Sequence, residues 1–512
     1  MGRRGVESGF GGEAHPGVRT MTATSSLRLL RAEYIDDNGT TLDIEFGPML
    51  GSDSHTTLMT GRNGSGKSRI LSAIALAFDA LDGSKPRSSV DVSVEYMLNG
   101  HECAIHVQRK ALTGYLDGKI VRIEELPRPR AVVAVTASAF DKFELPTSQN
   151  LFTQSPKRGG LYRYLGLKDA RGRVSTKAGI LRALAQLFEA TALDDRRRVR
   201  VAGVFDYLGY LPQVEVHYRW TRRGRNFLEA GSEQGLVGYR RFLESEHANT
   251  PTGQRPILGD YFFEDRSAID QLARAATTFR SLGDEKYVAV TAEFAARQWS
   301  RDEKFRHAQQ LSRARLLEMA EVKLRRKSNG ALVNIEDASS GELAVATATL
   351  GIASSIDDQS LILMDEPEIS LHPAWQADYL RRLAETFGAF EGCHFILATH
   401  SATLVAGASP ESSNVVDLET AERVARYTHI GNSADEVLVR TFGVAQEGNL
   451  YLHQLLIEAL RLIADRATSG GRFAILLREL ESVANTLPTE SSIRQVIADL
   501  GHARLSPASD TS

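Results

Sequence analysis

The run Gly61-Arg62-Asn63-Gly64-Ser65-Gly66-Lys67-Ser68 holds the residues best spaced for chemistry. It fits G-x-x-x-x-G-K-[ST], a glycine-rich loop that leads from a strand into a helix. Gly61, Asn63, Gly64, Ser65 and Gly66 let backbone N–H groups close around a polyphosphate, Lys67 reaches its terminal phosphates, and Ser68 holds a Mg2+ ion. The flanks suit this reading. Residues 55–60 read as a strand, and 68–80 as an apolar-rich helix whose N-terminal dipole faces the phosphates.

A second constellation lies far downstream. Leu361-Ile362-Leu363-Met364-Asp365-Glu366-Pro367 is an apolar strand ending in two acids, the Walker B pattern. Asp365 would orient Mg2+, and Glu366 would polarise the water that attacks the γ-phosphate. Just ahead of it, Ala338-Ser339-Ser340-Gly341-Glu342 is a Ser–Gly turn opening a helix over 342–356, a site of N–H groups for an anion. Thr399-His400-Ser401 follows another buried strand over 394–398.

The wide separation of Lys67 from Asp365, with the Ser–Gly turn between them, resembles the ABC superfamily with a head split by a large insertion. The resemblance implies an α/β ABC-ATPase head, with a mixed β-sheet core and flanking helices, that uses ATP and Mg2+. Ser339, Ser340, Gly341 and Glu342 would be its signature loop, and His400 its switch histidine at the γ-phosphate. Ser370-Leu371-His372-Pro373 is similar to the D-loop that crosses the dimer interface. The implied assembly is a homodimer in which each ATP lies between the Lys67 loop of one copy and Ser340 of the other. The family's Q-loop glutamine is not evident. Residues 137–143 occupy its place, and Asp141 is the substitute sensor they offer.

Within the superfamily, a transporter subunit would carry its signature much nearer Lys67. Chromosome-maintenance and break-repair ATPases would show long coiled coils or a zinc hook, and the chain has neither sustained heptads nor a C-x-x-C pair. Residues 366–373 instead resemble the compact bacterial AAA_21, RecF-like and OLD-like ATPases, many of which serve phage defence with a nuclease. After His400 there is no D-x-D pair for a Toprim-type metal site, and only His429, His453 and His502, so no nuclease site is expected in this chain. Arg440-Thr441-Phe442-Gly443 with Asn449-Leu450-Tyr451-Leu452 resembles the tail of the Septu-type ATPase subunit, which pairs with a separate HNH nuclease. The resemblance thus implies an ATP-hydrolysing subunit that regulates a partner nuclease in antiviral defence. Two alternatives stay open: a RecF-like repair ATPase acting on DNA directly, and a nucleotide-gated assembly scaffold with little turnover. Basic clusters at 196–200, 222–225 and 325–327 would track DNA if they shared a face, and otherwise read as solvated surface.

The chain has 512 residues, 42% of them hydrophobic and 24% charged, with a net charge of −3. These values are those of a globular protein with an ample core, and they exclude a uniformly basic nucleic-acid coat. Two lone cysteines, Cys103 and Cys393, fit a reducing cytoplasm. No segment reads as a secretion signal or membrane span; the best apolar run, 343–356, is too short. Residues 1–24 are Gly-rich and polar and read as a disordered N-terminus, with Met1 or Met21 as the start. The expected organisation is an N-terminal head lobe over 25–149, a mainly helical insertion over 150–320, a C-terminal head lobe over 321–432 and a helical region over 433–512. A β-meander is expected between 88 and 123, helices at 176–193, 267–282 and 300–321, a strand at 214–220 and a hairpin over 321–335. Three amphipathic helices are expected after residue 435, at 448–466, 472–486 and 491–500.

Overall fold

A computed structural model describes residues 26–36, 38–47, 54–82, 91–108, 111–138, 141–145, 160–168, 176–192, 195–248, 266–280, 288–295, 303–369, 371–418, 426–428, 433–468 and 471–505. Its centre is a seven-stranded sheet with the order β17-β16-β3-β15-β14-β8-β9. The strands are β3 (His55–Thr60), β8 (Val132–Thr136), β9 (Tyr162–Leu165), β14 (Leu361–Asp365), β15 (His394–Ala398), β16 (Ser413–Asp417) and β17 (Arg426–Thr428). All pairings are parallel except β16 with β17. The apolar runs at 132–135, 361–364 and 395–398 follow from this: a parallel strand covered on both faces favours apolar residues.

The two faces carry different layers. Val132, Ala134, Leu361, Leu363 and Ile396 point into one core with helix α1 (Lys67–Ala80) and an antiparallel six-stranded sheet. That sheet is β2-β1-β4-β5-β6-β7, from β1 (Leu27–Ile35), β2 (Thr41–Glu45), β4 (Asp91–Leu98), β5 (His101–Gln108), β6 (Ala111–Leu116) and β7 (Lys119–Val121). Val133, Val135, Ile362, Met364 and Leu397 point into the other core. There they meet α2 (Thr176–Ala192), α7 (Ser340–Ser355) and α8 (Pro373–Phe387). The period-two alternation of β8 and β14 therefore sends α1 and α7 to opposite faces.

At the start of the parallel strands a buried polar network fixes their register. His394 Nδ1 accepts from the Leu29 N–H at 3.0 Å, so its Nε2 carries the proton and donates to Thr57 Oγ1 at 2.9 Å. Thr57 in turn donates to Asn414 Oδ1 at 2.8 Å. Burial, reinforced by His55 and Arg28, holds His394 well below the usual imidazole range, which keeps this neutral tautomer in place.

The segment expected as a mainly helical insertion also contains strands. A third, antiparallel sheet has the order β11-β10-β12-β13, from β10 (Tyr210–Trp220), β11 (Val288–Glu293), β12 (Leu317–Arg326) and β13 (Leu332–Asn334). The division at residue 320 thus falls inside β12. The helix expected over 300–321 is shorter: α6 (Glu303–Arg313) ends before Arg315, which takes φ 54°, and β12 begins two residues later. Two helices had no clear sequence signal, α3 (Asp195–Tyr207) and α4 (Arg222–Ala248). Gly235, at φ 60° and ψ −137°, folds α4 back so that Tyr239 packs on Phe227. With α5 (Arg266–Arg280), these elements share a core with α2 and the lower face of the central sheet.

The C-terminal region is helical and has its own core. After the short α9 (Ala402–Ala406) come α10 (Ala434–Arg440), α11 (Leu450–Ala464), α12 (Gly471–Ala484) and α13 (Ser492–Leu505). Val439, Leu452, Leu455, Phe473, Leu477 and Ile497 are buried among them. Among the described residues no helix is long and apolar enough to cross a membrane.

Candidate active site

The loop between β3 and α1 is built on left-handed backbone. Gly61, Gly64 and Gly66 stand at φ 133°, 85° and 104°. Only glycine adopts these angles without strain, and a Cβ on Gly61 would also meet Ser65 Oγ at 2.9 Å. The Ser65 N–H bonds to Arg62 carbonyl at 3.1 Å, closing the turn around Asn63 and Gly64. Gly66 precedes the first residue of α1, so the orphan N–H groups of that helix open onto the loop.

Lys67 folds over this loop. Its Nζ donates to the Gly61 carbonyl at 2.7 Å and to the Arg62 carbonyl at 3.1 Å. Next to it, Ser68 Oγ donates to Asp365 Oδ1 at 2.9 Å. The strand order explains the meeting of residues so distant in sequence. β15 lies between β3 and β14, so the C-terminal ends of all three open on one side of the sheet. Glu366 follows β14 and His400 follows β15, with His400 Nε2 3.6 Å from Glu366 Oε1. Glu366 takes φ 49°, unusual for a residue with a side chain, and its N–H bonds to the Ala398 carbonyl at 2.9 Å.

The charges here are held out of water. Burial pushes the Asp365 carboxyl up to about 6, against the hydrogen bond from Ser68. Burial also pulls Lys67 down to about 8, opposed by Glu366, Asp365, Glu368 and Asp417. His400 is lowered by burial and then by Lys67. Burial thus disfavours the charged forms of Asp365 and Lys67. Ser68 and Asp365 would supply two oxygen donors to a Mg2+ ion whose shell phosphates and water complete.

The sequence-predicted residues divide into two groups. Gly61, Asn63, Gly64, Ser65, Gly66, Lys67, Ser68, Asp365, Glu366 and His400 gather at this end of the sheet. Ser339, Ser340, Gly341 and Glu342 open α7 on the opposite face from α1. Ser339 Oγ accepts from the Glu342 N–H at 3.2 Å and Glu342 Oε2 accepts from the Ser339 N–H at 2.9 Å, a reciprocal cap. In the D-loop segment, His372 caps α8 through Nδ1, and Ser370 lies outside the described residues. Asp141 is buried and engaged: Tyr164 OH and Lys168 Nζ reach its carboxylate at 3.0 and 3.1 Å.

Several residues of the basic clusters are engaged in the fold. Arg197 reaches the Ser354 carbonyl and Asp357, and Arg198 the Phe294 carbonyl. Arg223 pairs with Glu246, Arg325 bonds Gln213, and Lys327 pairs with Asp206. One site residue escaped the sequence reading. Glu368 Oε1 accepts from Thr399 Oγ1 at 2.8 Å and from the His400 N–H at 2.7 Å. The only trace of it in sequence is a second glutamate two residues after Glu366.

Residues 218–406 match the family model AAA_21, described as “AAA domain, putative AbiEii toxin, Type IV TA system”. The span holds the 339–342 turn, Asp365, Glu366 and His400, and leaves the Lys67 loop outside. A search of curated proteins gave no match. Among solved structures, the chain is similar to the SMC head domain from Thermotoga maritima at 15% identity and a TM-score of 0.31, covering 79% of this chain and 99% of that one. It is also similar to the Smc head domain with a coiled coil and joint derived from Pyrococcus yayanosii, at 13% identity and a TM-score of 0.32, covering 80% and 99%. Residues 218–406 are thus similar to an AAA domain, and the match takes in the second half of the site.

Proposed function

We propose that the chain is an ATP-hydrolysing ATPase whose site is completed by a second copy. The observation that carries this reading is the 2.9 Å contact of Ser68 Oγ with Asp365 Oδ1. It joins the loop suited to a polyphosphate to the acid suited to Mg2+. When bound, Mg2+ would neutralise charge on the β and γ phosphates and so favour their cleavage. The loop N–H groups and Lys67 hold the phosphates; Lys67 exchanges its bonds to the Gly61 and Arg62 carbonyls for phosphate oxygens. Glu366 orients the attacking water and accepts its proton, and His400 donates to the γ-phosphate from the neighbouring strand end.

The opposite placement of α1 and α7 supports the dimer. The reciprocal bonds of Ser339 and Glu342 hold the start of α7 in place, and the N–H groups at that helix N-terminus, on the face away from α1, would serve the nucleotide of a second copy. The AAA_21 description names a putative AbiEii toxin and a type IV toxin–antitoxin system, and on the resemblance of residues 440–443 and 449–452 to the Septu-type tail we read the dimer as regulating a separate HNH-type nuclease in bacterial anti-phage defence. The engaged arginines favour this over a RecF-like protein that holds DNA itself. The test is phosphate release and light scattering of wild type and Glu366→Gln with Mg-ATP. The reading expects turnover only in wild type and a stable ATP dimer in the variant. A monomeric variant that still binds ATP would overturn the dimer, and wild type without turnover would overturn the ATPase.

A further inference from the structure

The turn that follows β14 holds two acids with separate surroundings. Glu366 faces His400 Nε2, while Glu368 turns toward the backbone of the same histidine. The turn is closed by the Ile369 N–H on the Glu366 carbonyl at 3.2 Å. We propose that Glu368 is a positioning residue that fixes the switch turn 399–401 and thereby sets the spacing of His400 from Glu366.

The geometry forms a closed circuit. Glu368 Oε1 takes both the His400 N–H and the Thr399 hydroxyl, so one oxygen anchors two successive residues. Thr399 Oγ1 in turn accepts from the Ser401 N–H at 3.0 Å. On the far side of the turn, Ser401 Oγ donates to Gln376 Oε1 at 2.7 Å, and Gln376 Nε2 donates to the Leu371 carbonyl at 3.1 Å. The switch turn is thus tied to the segment between β14 and α8 at both ends. Glu368 Oε2 is buried with no hydrogen-bond partner, so Oε1 alone performs this task. What the task requires is an acceptor oxygen at that reach, and a glutamine supplies one.

This inference rests on the ATPase reading. Its test compares wild type, E368A and E368Q for kcat, for fluorescent-ATP affinity and for thermal unfolding. E368A should lower kcat roughly 10- to 100-fold, the effect of misplacing a reacting group by about an ångström, with ATP affinity held within about threefold. E368Q should restore kcat to within about threefold of wild type. An E368Q loss as deep as that of E366Q would overturn the proposal, because the charge would then matter rather than the acceptor. Wild-type kcat in E368A would overturn it as well. If E368A does not fold, T399V removes one of the two donors and should show the same split between kcat and affinity. A spectroscopic readout stands apart from turnover: in 13C-histidine spectra, E368A should shift the His400 signal, assigned with H400Q, and E368Q should leave it in place. If wild type shows no turnover, the ATPase reading fails, and the histidine signal still decides the role of Glu368.

Discussion

His400 Nε2 stands 3.6 Å from Glu366 Oε1, and the two residues leave adjacent parallel strands. The residues proposed as base and donor for one phosphoryl group are therefore placed by the sheet itself and not by a long loop. Replacing Glu366 with glutamine should lower kcat by roughly 10²- to 10⁴-fold, the range for a lost general base. Affinity for fluorescent ATP should stay within a few-fold. Retained turnover in the variant would remove Glu366 from the role of base.

The pH profile follows from the buried charges. Asp365 must be ionised to take Mg2+, and Lys67 must be protonated to hold phosphate. With Asp365 raised to about 6 and Lys67 lowered to about 8, kcat/KM should form a bell, falling below about 6 and above about 8. Steady-state hydrolysis from pH 5 to 9.5 checks both limbs. A flat profile through pH 9 would show that Lys67 titrates elsewhere.

Stability should move against function at Asp365. Its folded value lies above its unfolded one, so the unfolded chain releases this proton first. The contribution to stability is full below about 4 and is lost as pH rises through about 6. At neutral pH Asp365→Asn should therefore stabilise the nucleotide-free protein by about 1–3 kcal/mol, while abolishing Mg-ATP hydrolysis. Urea unfolding at pH 7 measures this; a destabilised variant would mean that the carboxylate already has its countercharge.

Ser339 tests the cap. Ser339→Ala removes the acceptor for the Glu342 N–H and should cost about 1 kcal/mol in chemical unfolding. If the turn serves a second copy, ATP affinity of the isolated chain should hold while turnover per chain falls. Unchanged turnover at saturating protein would detach this turn from the reaction.

Arg197 tests the reading of the basic clusters. It is buried on the Ser354 carbonyl and Asp357. Arg197→Met should cost roughly 1–3 kcal/mol in unfolding, since Asp357 is partly solvated and retains some hydration. Salt-dependent DNA binding that disappears in this variant without loss of stability would restore the DNA-tracking alternative.

The residues proposed for chemistry lie in short local runs, and that is why the sequence offers them. The Lys67 loop, the 361–365 strand with its acids, and His400 each lie within a short run whose pattern states its own geometry. The strands 361–365 and 394–398 announced themselves by apolar runs of the kind a doubly covered sheet takes. Other features depend on distant partners. The charged stretch 300–321 looks helical throughout, and only Arg315 in the left-handed region and the pairing of β12 with β10 end the helix. α3 carries four arginines in its first turns and reads as surface, yet Arg197 and Arg198 are buried because carbonyls of other elements receive them. Glu368 was hidden for the same reason: its meaning is set by donors 31 and 32 residues further along the chain.

The sheet that separates α1 from α7 has a consequence for dose. If the proposed dimer forms, its two half-sites lie on opposite faces of one sheet within a chain and meet only between two chains. Their union is second order in the chain. Doubling the amount of protein would raise the number of closed pairs up to fourfold while most chains remain single, so activity would respond steeply to expression level. A cell could hold such a protein silent by scarcity alone.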